Sequence, residues 1–210
     1  MASKNSFVGH SLFWLLAVPF ALVLAYPAFL VTDAEEVVPG DEIAALVLRG
    51  REPDEVNRAA NLKFRRWFVD TGAVNASLGY FAPNTHDGAV PLSNEYAGFA
   101  AHWIRSLWKI TYRAIWRWVA FFDLFVALLA AIALPCFVDG LVQREKKLYT
   151  FGHHNPVYFY TAKHGVILML GLSMTLPWLP LPLSYPLWAA IAAVVGAMSW
   201  FVAANFQTGG

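Results

Sequence analysis

The stretch "FGHHNPVYFYTAKHG", residues 151–165, gathers His153, His154 and His164 with Lys163. Imidazoles this dense are the raw material of a zinc site or a proton-transfer centre. A zinc site needs three or four ligands converging on one point, at spacings such as H-E-x-x-H. Here the adjacent His153 and His154 point in different directions, and the nearest carboxylate is Glu145. The lone cysteine, Cys136, lies inside an apolar run, so no disulfide or cysteine zinc cluster forms within the chain. No Walker motif, nucleotide-binding glycine pattern, Ser–His–Asp context or paired-carboxylate site accompanies the histidines. The expectation is therefore no catalytic residue, no metal and no cofactor. The histidines read as a turn between helices.

The elements on either side explain that reading. Hydrophobic residues make up 58% of the 210 and charged residues 14%, against roughly 25% charged in soluble domains. The apolar residues are blocked rather than dispersed. Residues 7–31 carry no Asp, Glu, Lys or Arg and are long enough to span a bilayer. Their length, with Pro19 and Pro27, favours an uncleaved signal anchor over a cleaved signal peptide. Further blocks lie at 118–138, 157–176 and 187–206. Between the last two, "LPWLPLPLSYP" forbids a continuous helix and makes a hairpin. The expected fold is an all-α integral membrane protein with four transmembrane helices, one N-terminal and three C-terminal, around a polar, partly helical extracytoplasmic interval. Its parts are 1–31, the anchor; 32–95, the polar interval; 96–117, an amphipathic interfacial helix; and 118–206, a three-helix transmembrane domain.

Orientation follows from Lys and Arg in short loops. Arg144, Lys146 and Lys147 lie in the connection between the second and third spans, with Lys163 just beyond. The turn 139–156 is thus expected in the cytoplasm, together with both termini. Helix two should run past Val138 to about Gly152, with Asn155 capping and Pro156 opening helix three. Within the polar interval, 41–48 and 52–71 read as short helices and 82–98 as loop. These pieces are too few and too polar for a core of their own and should pack on each other, the membrane face or a partner.

Arg105, Lys109, Arg113 and Arg117 recur every four residues, a basic stripe on one helix with tryptophans off the stripe. That pattern suits the headgroup layer better than nucleic acid. It also places positive charge on the expected outer side, where long segments translocate regardless. Asp123 is the one acid within a span, about 7 Å from its start at 1.5 Å per residue, and reads as hydrated or paired near the interface. His10 opens the first span and is read as interfacial. Ala189, Ala193, Gly196 and Ala197 suggest a small-residue face for close packing, on helix three or on a second copy.

The run "FVDGLVQREKKLYTFGHHNPVYFYTAKH" with the proline-split hairpin after it resembles the integrating conjugative element membrane proteins, which carry a domain of unknown function. The matching pieces are "VDGLVQR", Phe151 with Gly152, Pro156, and Ala162 to His164. The resemblance implies a non-enzymatic scaffold or accessory subunit of a type IV secretion-like DNA transfer apparatus in the bacterial inner membrane. Its partners would then be the bilayer and other transfer proteins such as the coupling ATPase, contacted through Arg144, Lys146, Lys147, Phe151, Gly152, His153, His154, Pro156, Lys163 and His164. A small transporter or channel using Asp123 is the alternative, and a membrane enzyme or metal protein using His153, His154 and His164 the third reading.

Overall fold

The computed structural model describes residues 7–29, 37–82, 94–150, 156–179 and 182–206. Among them every regular element is helical. The elements are α1 (Phe7–Leu12), α2 (Val18–Ala25), α3 (Gly40–Leu48), α4 (Pro53–Phe64), α5 (Ala73–Phe81), α6 (Asn94–Leu128), α7 (Leu134–Tyr149), α8 (Pro156–Thr175) and α9 (Tyr185–Asn205). A π-helical turn, Phe13–Ala17, joins α1 to α2, and another, Leu129–Ala133, joins α6 to α7. Each lies just before a proline, Pro19 or Pro135. A helical proline donates no hydrogen bond and crowds the carbonyl four residues back, here Leu15 or Ala131. Both carbonyls fall inside the π turns, which widen the helix so that it continues.

Among the described residues three helices are long and apolar enough to cross a membrane: Val8–Ala28, Gly98–Tyr149 and Tyr185–Asn205. The 20-residue α8 has membrane-spanning length, but Lys163 and His164 dilute its apolar character.

The chain divides into two compact units, each discontinuous in sequence. The first comprises residues 1–19, 121–176 and 183–210; the second, 20–120 and 177–182. In the first unit, contacts between side chains give the helix directions. His10 meets His164 and Trp14 meets Gly171, so α1 and its π turn run parallel to α8. Tyr158 meets Phe201 and Gly165 meets Met198, so α9 runs antiparallel to α8. Phe125 meets Trp188, Ile132 meets Gly196 and Lys147 meets Asn205, so the α6–α7 helix runs parallel to α9. Consecutive long helices thus alternate in direction. The ends of α7 and α9 and the start of α8 share one end of the unit.

Glycine permits these close approaches. A Cβ on Gly140 would lie 2.7 Å from the Trp200 carbonyl oxygen, and one on Gly171 would lie 2.8 Å from that of Trp14. The expected small-residue face is only partly used. Gly196 is buried against Ile132 and Cys136, and Ala192 is buried with it. Ala193 and Ala197 are exposed, and Ala189 is half-buried. The buried pair is offset because α9 turns toward the α6–α7 helix, not toward α8 alone. Leu12, Leu16, Phe122, Leu134 and Phe137 remain exposed, large apolar side chains of the kind that a membrane or partner surface covers.

The second unit does contain a buried apolar set: Leu46, Val56, Ala60, Ile104, Ile110, Ala114, Trp116 and Ala120. Short helices α3 and α4 supply three of these, and α6 completes the set. That is how pieces too small for a core alone acquire one. Pro53 occupies the first turn of α4, with Asp54 and Glu55 there and Lys63 in its last turn, in line with the helix dipole. Gly50 and Gly72 end helical segments at φ +75° and +79°, a conformation that costs a side chain bearing a Cβ. Of the loop expected at 82–98, residues 94–98 belong to α6, and 83–93 lie outside the described residues.

Candidate functional site

The basic end of the first unit is built on α7. Its last turn carries Lys146 and Lys147, favourable charges at a helix C-terminus. Lys147 Nζ donates to the Ala204 carbonyl and to Asn205 Oδ1, both at 3.1 Å. These acceptors belong to the last residues of α9, where carbonyls lack helical donors. The Arg144 guanidinium lies 5.3 Å from the Phe206 ring centroid, and Phe159 of α8 packs against the same ring at 5.7 Å. One turn deeper, Trp200 Nε1 donates to Asp139 at 2.7 Å. Lys147 and Arg144 thus tie helix ends together, while Lys146 is exposed.

Pro156 opens α8 and is exposed, and Lys163 is half-buried two turns further on. Phe151, Gly152, His153 and His154 lie outside the described residues. His164 instead meets His10, with ring centroids 4.4 Å apart and planes near perpendicular. His10 Nε2 and His164 Nδ1 are buried without hydrogen-bond partners. No pattern in the sequence pairs them, since the contact joins α1 to α8, far apart along the chain. Among the described residues no three His, Cys, Asp or Glu side chains gather as a metal group would. Asp123 is exposed on α6.

In the second unit the basic stripe splits. Arg105 and Lys109 are exposed. Arg117 is buried, its side chain 0% exposed against 1% for Glu42. Its Nε donates to Glu42 Oε2 at 2.9 Å, and Nη2 donates to Glu42 Oε1, a bidentate pair. Its Nη1 reaches the carbonyls of Pro177 and Leu179. Arg113 Nη2 stands 3.6 Å from Glu42 Oε1. This half of the stripe is therefore not a headgroup-facing surface. A four-residue spacing drifts around the helix, and the drift carries Arg117 onto the packed face. Glu42 was missing from the sequence reading. Its signal was its i, i+4 relation to Leu46, which is also fully buried. Arg51 Nη1 adds bonds to the carbonyls of Val119 and Ala120, each at 3.2 Å.

Among the described residues both arrangements use charge to join helices. A comparison with protein families matches residues 28–207 to the family described as "IncC plasmid conjugative DNA transfer protein DtrJ-like". The chain belongs to the DtrJ-like family. The match takes in most of both units and the basic end through Phe206, beginning after the first 27 residues. It agrees with the resemblance to membrane proteins of conjugative elements and ties the chain to conjugative DNA transfer. No curated protein and no solved structure matches it.

Proposed function

We propose that the chain is a non-enzymatic accessory or scaffold subunit of a conjugative, type IV secretion-like DNA transfer apparatus, held in the bacterial inner membrane by four spans. Family membership carries the transfer assignment. The alternating helix directions of the first unit support the four-span reading, with α8 as the third span despite Lys163 and His164. Long lysine stems reach headgroups from two turns inside a helix.

In this reading the start of α1, the end of α7, the start of α8 and the end of α9 lie on one side, which the helix directions support. The charge of Arg144, Lys146 and Lys147 assigns that side to the cytoplasm. The basic end is then the surface offered to the coupling ATPase or another transfer component. Lys146 is the residue to test, because Arg144 and Lys147 also hold helix ends together. The 32–117 interval lies outside the cytoplasm in this reading.

An in-frame deletion in the donor should lower transfer frequency, and complementation should restore it. Unchanged transfer would overturn the reading. Lys146→Ser should lower transfer with normal insertion and topology; a wild-type frequency would remove the basic end as the contact surface.

A further inference from the structure

A groove of about 250 Å³ opens on the surface of the first unit, lined by Phe137 of α7, Lys163, Val166 and Ile167 of α8, and Ser199 and Val202 of α9. Its polarity is graded along the helices. Lys163 is nearest the start of α8, and Ile167 lies about 6 Å further along that helix at 1.5 Å per residue. On the antiparallel α9, Val202 is nearest the end of the helix and Ser199 one turn deeper. The cation therefore stands at the shallow end, and the remaining lining is almost wholly apolar. The helices forming that end, residues 134–150 and 156–170, hold Arg144, Lys146, Lys147 and Lys163 against Asp139 and Glu145. Asp139 is already engaged by Trp200.

A cation at the lip of an apolar slot matches an anionic headgroup joined to an acyl chain. We propose that the groove holds one acyl chain of an anionic phospholipid, with Lys163 engaging the headgroup phosphate. This rests on the membrane-spanning reading above. The lipid fills a gap between α7, α8 and α9 that side chains leave open, and so steadies the basic end that those helices form.

The test uses the full chain purified in mild detergent and exposed to mixed micelles of phosphatidylglycerol and phosphatidylcholine with matched chains. Native mass spectrometry reads the lipid retained. Wild type should retain phosphatidylglycerol about fivefold over phosphatidylcholine, the scale of one lysine at an anionic surface. Lys163→Gln should bring the ratio near parity, Lys163→Arg should preserve it, and Val166→Trp should lower retention of both lipids. Equal retention by wild type, an unchanged ratio in Lys163→Gln, or undiminished retention in Val166→Trp would each overturn the proposal. Circular dichroism of each variant separates misfolding from lost binding, and Lys163→Arg still decides if the glutamine variant unfolds. Carbonate extraction of native membranes tests the premise separately. A chain that washes off the membrane fails the spanning reading; one that stays but shows no preference fails only the lipid site.

Discussion

Each of the two units is held together internally, and by opposite means. In the second, polar and aromatic side chains anchor short helices to α6. Glu42 grips Arg117, Trp116 Nε1 donates to Asn57 Oδ1 at 2.7 Å, and Trp108 Nε1 donates to Ser77 Oγ at 2.9 Å. Phe64 and Phe68 flank the Trp108 ring. In the first unit the long helices meet through Gly140, Gly171 and Gly196, and polar bonds gather at one end. Water drives apolar side chains together, so short amphipathic helices can be assembled around a core and then fixed by directional bonds. In the membrane-spanning reading proposed above, lipid supplies no such drive, and helices within it gain from close backbone contact. The contrast suggests that the second unit breaks when a charge is left alone, and the first when a gap is filled.

The largest break should come at Glu42. Glu42→Ala leaves Arg117 buried without its carboxylate, at a cost of about 3–5 kcal/mol. Limited proteolysis of purified protein should then cut residues 37–82 readily. The joint change Glu42→Leu with Arg117→Met should recover most of the loss, since an apolar pair of similar volume replaces the buried ions.

Next is Gly140→Leu, which forces α7 away from Trp200 and Ala203 and should cost about 1–3 kcal/mol. Thermal unfolding in detergent should show it. Gly79→Ala, where a Cβ meets nothing within 4 Å, should instead stabilise α5 by up to about 1 kcal/mol. Equal effects at Gly140 and Gly79 would erase the distinction between the units.

Trp116→Phe removes the bond to Asn57 and part of a fully buried indole, and should cost about 1–3 kcal/mol. The smallest effect is expected at the basic end. Lys147→Gln weakens the interaction with the end of α9 by about 0.3–1 kcal/mol, whereas Lys146→Gln should leave the melting temperature unchanged. If Lys147 and Lys146 proved equivalent in stability, the division between a structural and a surface lysine would fall.

Much of this was legible from residue order. Gly40–Leu48 and Pro53–Phe64 carry their acids and prolines at their starts, and Pro156 and the proline-rich 176–186 segment bound α8. Helix α7 could be followed past Val138 because its amphipathic pattern continues to Tyr149. Ala73–Phe81 had no comparable signal, being short and without acidic residues in its first turn. Nor could the pairing of His10 with His164, or of Glu42 with Arg117, be read, because those partners are separated by many tens of residues.

Hydrophobic blocks, proline positions and lysine placement were sufficient by themselves to set an all-helical chain with membrane-length segments and one basic connection. They act locally, through hydrogen bonding within a helix and transfer of a contiguous segment out of water. Tertiary structure alone decided which charges are surface and which are glue. Arg105 and Arg117 belong to one repeating stripe, yet one is exposed and the other buried on Glu42. Burial depends on what another part of the chain brings to that face, and no periodicity within a single helix contains it.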